Sequence, residues 1–285
     1  MVNPSPQQLD LFVANAFDIK AKQATDLMSR NLFSLSKQKR TKEIHHQSAD
    51  SFIRVTGSEE HGLATMHDQD ILIFLISQLI HARNRGDNIG RRVWFSGYEL
   101  WRFIGKQKAS GKGYNELWAA LQRLHNTHIE TDLRVGHRRK QHQFTWLSEI
   151  EQRWSNERHI GYEVLLPEFL FDVVKQEKPL VVTLDQRYFS LTSALERWIY
   201  LFSRKAAGKQ AEGWTETIES LHAKSASTAT RSSFALSVRK ILEKNQHKLL
   251  DYHLHTALLG RKPALHFERS KLLPKERQPM LILLD

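Results

Sequence analysis

The chain has 285 residues, 40% of them apolar, no cysteine and a formal net charge of +11. That length suits one large domain or two smaller ones that each bury a core. The lack of cysteine excludes disulfides, thiolate metal sites and cysteine nucleophiles, and no apolar run approaches the roughly 18 residues of a membrane span. The charge is clustered: residues 37–46 carry +3, 102–140 and 197–248 carry +6 each, 258–277 carry +4, and the remainder carries −8. Cations grouped on an otherwise acidic chain are the footprint expected for a polyanion partner, nucleic acid first. Solvated surface charge is the competing account.

The start, MVNPSPQQLD, has neither a basic opening nor a long apolar core, so a signal peptide is not expected. Residues 1–50 read as a flexible, polar tail with one helix near 9–29 and a basic linker, KQKRTKEIHH, at 37–46. QDILIFLISQLIHARN at 69–84 reads as a buried helix, followed by a turn at 85–90 and a short strand, VWF, at 93–95. Ser96 can cap a helix over 97–104, with Glu99 at capping-box spacing. After a basic turn at 106–113, Tyr114, Leu117, Trp118, Leu121 and Leu124 fall on one face of a helix over 114–126. Strands are expected at 128–135 and 142–147, joined by the cationic turn GHRRKQ. GYEVLLPEFLFDVV at 161–174 reads as a strand and then a helix opened by Pro167.

The pattern then recurs. A helix at 193–208 buries Leu195, Trp198, Ile199 and Phe202; a short strand follows at 213–217, and a helix at 218–226. A polar turn leads to a helix at 233–244 that buries Phe234, Val238, Ile241 and Leu242, and strands at 249–269 flank the turn Gly260-Arg261-Lys262-Pro263. Trp94 and Trp214 are 120 apart, and Leu100/Leu221, Leu117/Val238 and Leu121/Leu242 are each 121 apart. A duplicated unit explains that spacing. Helix, strand, helix, turn, helix and basic hairpin is the winged-helix order, with the third helix placed for the major groove and the hairpin for phosphates. The expected fold is therefore α+β, mainly helical, with tandem winged-helix domains at 51–158 and 159–285 behind the 1–50 tail.

In the first unit Lys112, Asn115, Gln122 and Arg123 lie off the apolar stripe and are candidates for groove contact, Asn and Gln toward adenine and Arg toward guanine. Lys106, Lys108, Arg138, Arg139 and Lys140 suit phosphates. Thr228, Thr230, Arg231, Ser232, Arg239 and Lys240 are the matching set in the second unit, with Arg261 and Lys262 on its hairpin. Trp94, Trp118, Trp198 and Trp214 read as core. His253-Leu-His255 is similar to the metal-holding pair of rolling-circle nucleases, yet all six tyrosines precede His255, and a strand with two exposed histidines accounts for it more simply. No GxxxxGK[ST] and no catalytic triad occur. The chain reads as non-enzymatic, without cofactor or metal.

The stretches GYEVLLPEFLFDVV, LDQRYFSLTSALERWIYLFSRKAAGKQAEGWTETIESLHAKSAS and SFALSVRKIL resemble the plasmid replication initiator protein A family, over roughly residues 50–260 and most specifically over 161–242. That family is similar to TrfA-type and iteron-binding initiators. The resemblance implies a bacterial, plasmid-encoded, cytoplasmic protein that binds repeats at an origin as double-stranded DNA. It also implies recruitment of a replicative helicase and host initiator, and a homodimeric form. LHAKSAS departs from the pattern, with Ala223 and Ala226 where an acidic residue and a glycine are expected. QLDLF at 8–12 resembles the pentapeptide by which replication proteins bind the bacterial sliding clamp. Gln8 suits a pocket rim, Leu9 lies beside it, and Leu11 and Phe12 suit its apolar floor, worth roughly 3–5 kcal/mol before ordering costs. Leu9, Phe12, Val13, Ala16 and Phe17 equally fit the start of an amphipathic helix. The other functional classes are a winged-helix transcriptional regulator acting on its own gene, and a nicking nuclease.

Overall fold

The computed structural model describes residues 9–12, 30–47, 52–106, 111–131, 134–135, 138–139, 142–175, 181–208, 210 and 212–270. It is an α+β protein that divides into two compact units, with the boundary between residues 181 and 182. Residues 32–181 belong to one unit; residues 30–31 and 182–270 belong to the other. The expected boundary at 158/159 therefore lies too early.

In chain order the elements begin with strands β1 (Leu9–Phe12), β2 (Ile44–Gln47) and β3 (Phe52–Thr56). Helix α1 (Gln69–Asn84), strand β4 (Arg92–Phe95), and helices α2 (Gly97–Phe103) and α3 (Gly111–Asn126) follow. Strands β5 (His128–Thr131), β6 (Arg134–Val135), β7 (Arg138–Arg139), β8 (His142–Thr145), β9 (Glu149–Ser155) and β10 (Arg158–Leu165) lead to α4 (Glu168–Lys175) and β11 (Val181–Leu184). A 3-10 turn at Gln186–Ser190 precedes α5 (Ala194–Ala206), β12 (Trp214–Thr217), α6 (Ile218–Ser225) and α7 (Arg231–Lys244). The last strands are β13 (Lys248–Leu249), β14 (Tyr252–Leu259) and β15 (Lys262–Arg269).

The first unit is centred on α1, whose Ile71 to Ile76, Leu79 and Ile80 are all buried. Such a helix, apolar nearly all round, must be covered on every side. Phe74 meets Phe95 and Phe103 edge-on at 5.5 and 5.3 Å, and Phe95 lies 5.6 Å from Tyr162. Two antiparallel sheets belong to this unit, in strand orders β4-β10-β9 and β2-β3-β5-β8. Strand β2 corrects the expected tail. Ile44 and His46 alternate inward, so the end of the basic linker is a folded sheet edge. Phe33, further upstream, is buried and stacks on Trp146 at 4.8 Å.

The second unit packs α5, α6 and α7 on the sheet β12-β15-β14-β13. Trp198, Tyr200 and Phe202 of α5, Leu221 of α6 and Phe234, Val238 and Leu242 of α7 are buried with Tyr252, Leu254, Leu265 and Phe267. Hydroxyls at Ser193, Thr217 and Thr230 cap the three helices, each supplying an acceptor to a backbone N–H that the helix leaves without a partner. Asn31 donates its side-chain amide to the Ser225 carbonyl (2.9 Å) and its own N–H to that of Lys224 (2.8 Å), satisfying the C-terminal end of α6.

The duplication is visible in both units. Ser96 caps α2 in a capping box and Thr217 caps α6, 121 residues later. Leu100, Leu117 and Leu121 are buried, as are Leu221, Val238 and Leu242. Phe95 of β4 pairs with Tyr162 of β10, and Glu216 of β12 pairs with Leu265 of β15. The offset is therefore 121 at the first strand and 103 at the last. The first unit has 18 more residues between its third helix and its closing strand. This corrects the expected hairpin: β5 and β8 join β2 and β3 in a separate sheet, and β9–β10 takes the place that β14–β15 holds in the second unit. Gly161 is required there, because a Cβ would lie 2.6 Å from the Phe95 carbonyl oxygen. The 120-residue match of Trp94 to Trp214 is one residue out of register. Both tryptophans are exposed, at 51% and 39%, rather than core.

Candidate nucleic-acid interface

In the first unit, α3 buries Leu117, Ala120, Leu121 and Leu124 and turns Lys112, Asn115 and Glu116 outward. Lys112 pairs with Glu116 one turn on (3.8 Å), and Lys106 is exposed just upstream. Gln122 is half-buried. Arg123 is not a base reader in this arrangement. Its Nε and Nη2 each donate to the Asp68 carboxylate at 2.7 Å, and Asp68 is only 4% exposed. That carboxylate raises the Arg123 pKa through the hydrogen bond. It also accepts from the Thr65 N–H (2.8 Å), so Arg123 ties α3 to the segment that opens α1. Trp118 is half-buried and stacks on Tyr162 at 6.2 Å, as a core-facing residue would. Arg138 and Arg139 are placed by backbone alone, in β7 opposite Val135 and Arg134. Lys108 and Lys140 lie outside the described residues.

The β9–β10 hairpin turns at Asn156-Glu157, both left-handed (φ 46° and 62°), as a two-residue turn between right-twisted strands requires. Beneath it Trp154 is 58% exposed and meets the His159 ring at 5.2 Å, and His159 lies 5.6 Å from Tyr114 on α3. An aromatic edge thus runs from the start of α3 toward the hairpin tip. The sequence reading missed it; Trp154 lies on a strand that carries charges at alternate positions, Glu149, Glu151 and Arg153, without an apolar run to mark it.

In the second unit the expected residues come together more fully. Arg231, Ser232, Arg239 and Lys240 are all exposed on α7, and Thr228 and Thr230 are exposed in the turn before it. His222 Nε2 meets the Ala229 carbonyl at 2.7 Å and braces that turn. Thr230 Oγ1 lies 3.1 Å from Ser232 Oγ and accepts from the Ser233 N–H. Ser233, Ser237 and Leu236, the last 52% exposed, share the outer surface of α7 and were not anticipated. Arg261 and Lys262 are exposed at the β14–β15 tip. Glu219 of α6 reaches both groups: its carboxylate lies 3.1 Å from Arg231 and 3.2 Å from Lys262. The Lys262 hydrogen bond, then the Arg231 charge, hold the Glu219 carboxyl below its ordinary range.

His253 and His255 project from one side of β14 with rings stacked at 6.2 Å, and His247 continues the row, 6.4 Å from His255. Among the described residues no group of three His, Cys, Asp or Glu side chains is placed to hold a metal. No described helix is long and apolar enough to cross a membrane. Of QLDLF, the structure gives residues 9–12 an extended strand backbone, which is not the start of a helix; Gln8 and residues 13–29 lie outside the described residues.

The sequence pattern of one family, described as Replication initiator protein A, matches residues 22–254. A protein of Wigglesworthia glossinidia brevipalpis, provisionally described as a replication protein, is 31% identical over 199 residues, 68% of this chain and 70% of that one. Two solved structures of domains 2 and 3 of RctB share the fold. One has a TM-score of 0.64 at 11% identity, covering 87% of this chain and 99% of the other. The second has a TM-score of 0.55 at 13% identity, covering 85% and 95%.

Proposed function

The chain belongs to the Replication initiator protein A family, and from that premise we propose that it binds repeated duplex sites at a plasmid origin through two winged-helix units. The observation that carries this reading is the second unit's outer surface. Arg231, Ser232, Leu236, Arg239 and Lys240 lie exposed on one helix, and Arg261 and Lys262 lie at the tip of the hairpin that closes the same unit. Arginine and serine suit base edges and phosphates, an exposed leucine suits a thymine methyl, and a cationic hairpin suits the backbone. In the first unit Lys106, Lys112 and Asn115 are the equivalent exposed groups, with the β9–β10 hairpin as its wing.

The same reading assigns the chain no catalytic step. It acts as a platform, bacterial and cytoplasmic, that gathers a helicase, a host initiator and the sliding clamp, the last through Gln8, Leu9, Leu11 and Phe12 of QLDLF, whose residues 9–12 have an extended backbone. A β-strand backbone supports a peptide ligand that lies along a groove. A homodimer is the form proposed away from the origin. Replication of a plasmid carrying only this gene and its adjoining repeats is the expected outcome. Specific binding to those repeats without replication would instead make the chain a regulator of its own gene.

A further inference from the structure

We propose that Glu219 stands in for a DNA phosphate between Arg231 and Lys262 in the free protein, and so holds down the phosphate-driven part of the second unit's binding to duplex. The inference rests on the DNA-binding reading above. One oxygen, Oε1, faces Arg231 at 3.1 Å and the other, Oε2, accepts from Lys262 at 3.2 Å. A phosphodiester presents two non-bridging oxygens and one negative charge in the same way. The two cations come from different elements: Arg231 is the first residue of α7, and Lys262 is the first residue after the hairpin turn. A backbone phosphate lying between that helix and that hairpin would meet this pair, and Glu219 already occupies it.

All three side chains are about half or more exposed, at 47% for Glu219, 65% for Arg231 and 68% for Lys262. Water and salt screen such pairs, so the contact is one that DNA can displace. Random duplex offers little but phosphates, and its binding is almost wholly the release of counterions by cations that reach them. With Glu219 in place, random duplex must expel a carboxylate or forgo two cations. A cognate site faces the same obstacle but adds base contacts. The carboxylate therefore lowers both affinities by a similar factor and leaves discrimination between them to the base contacts. It stays ionised through neutral pH, because Lys262 and Arg231 favour its charged form.

The test compares the full chain with Glu219→Gln and with Arg231→Ala/Glu219→Gln, on the origin repeats and on random duplex across a salt series. Glu219→Gln keeps the side chain's shape, and circular dichroism checks its fold. The expected result is about a tenfold gain in affinity for random duplex, with a salt slope steeper by about 0.9 for each phosphate contact recovered. The gain on the repeats is of a similar factor, because the repeats share the phosphate contact, so the specificity ratio holds. Arg231→Ala in the same background removes most of the gain. An unchanged or weakened affinity for random duplex in Glu219→Gln would overturn the inference and make Glu219 a strut that positions Arg231 and Lys262. A wild-type chain that binds neither duplex would refute the DNA-binding reading, and this inference with it.

Discussion

Arg123 and Arg231 show how two arginines on equivalent helices come to different work. The sequence places Arg123 off the apolar stripe of a third helix and Arg231 in the polar turn before its counterpart, and the structure makes Arg231 the first residue of that helix. The partner of Arg123 is 55 residues upstream, and no local pattern announces that Asp68 is buried. Arg123→Ala leaves that carboxylate without its cation, and unfolding by denaturant should show a loss of about 2–4 kcal/mol, since breaking a buried pair costs more than the pair contributes. Arg231→Ala removes a side chain 65% exposed. Its stability should stay within about 0.5 kcal/mol of wild type, while duplex binding weakens and its salt slope falls by about 0.9, as the loss of one phosphate contact requires. Tyr162 gives a separate check. Burial, then the neighbouring Tyr114, pushes its phenol up to about 12, and the fully buried Tyr200 is pushed in the same direction. The unfolded chain ionises these phenols near pH 10 and the folded chain resists. Their contribution is thus complete below about pH 10 and is lost as the pH rises toward 12. Melting temperature should fall over that window, and Tyr162→Phe should shallow the fall.

Helix boundaries, the Ser96 cap and the 121-residue repeat were legible because each is a local signal. Ser96 with Glu99 announces a helix start, and the leucines at helical spacing announce the buried faces; the Thr217 cap was not read from the sequence. The β9–β10 hairpin was not legible. Its strand EIEQRWS alternates charges and has no apolar run, and its turn is Asn-Glu rather than Asn-Gly. Nor did the sequence say which hairpin closes the first unit, because pairing with β4 depends on residues about 70 positions away. One departure from the family pattern now has a structural meaning. Ala226, where a glycine was expected, takes φ 56° and ψ 25° at the end of α6. A left-handed alanine is strained by roughly 1–2 kcal/mol, and glycine is the usual residue there. Ala226→Gly should relieve that strain and, after the entropy glycine adds to the unfolded chain, raise stability by about 0.5–1 kcal/mol in thermal or urea unfolding. A loss of stability would mean that the methyl packs well enough to offset the backbone strain.

Across the whole molecule, the proposed division of labour separates a cationic, duplex-binding body from a short apolar ligand near the N-terminus. Residues 1–19 contain no lysine or arginine, while the chain as a whole carries +11. Substituting Leu11 and Phe12 together by alanine therefore removes no cation, and the salt-dependent part of DNA binding should be unchanged. If the clamp reading holds, the same double variant loses both apolar anchors. A loss of about 3 kcal/mol from a contact of micromolar strength weakens it more than a hundredfold, enough to abolish capture by the sliding clamp. The competing account makes these two residues part of the protein's own packing, and it predicts a lower melting temperature with clamp capture intact. Because the backbone of residues 9–12 is extended, neither outcome depends on a helix forming there. Thermal unfolding, clamp pull-down and duplex titration on the one variant separate the accounts: clamp capture alone should disappear, and a fall in melting temperature with capture preserved would refute the assignment.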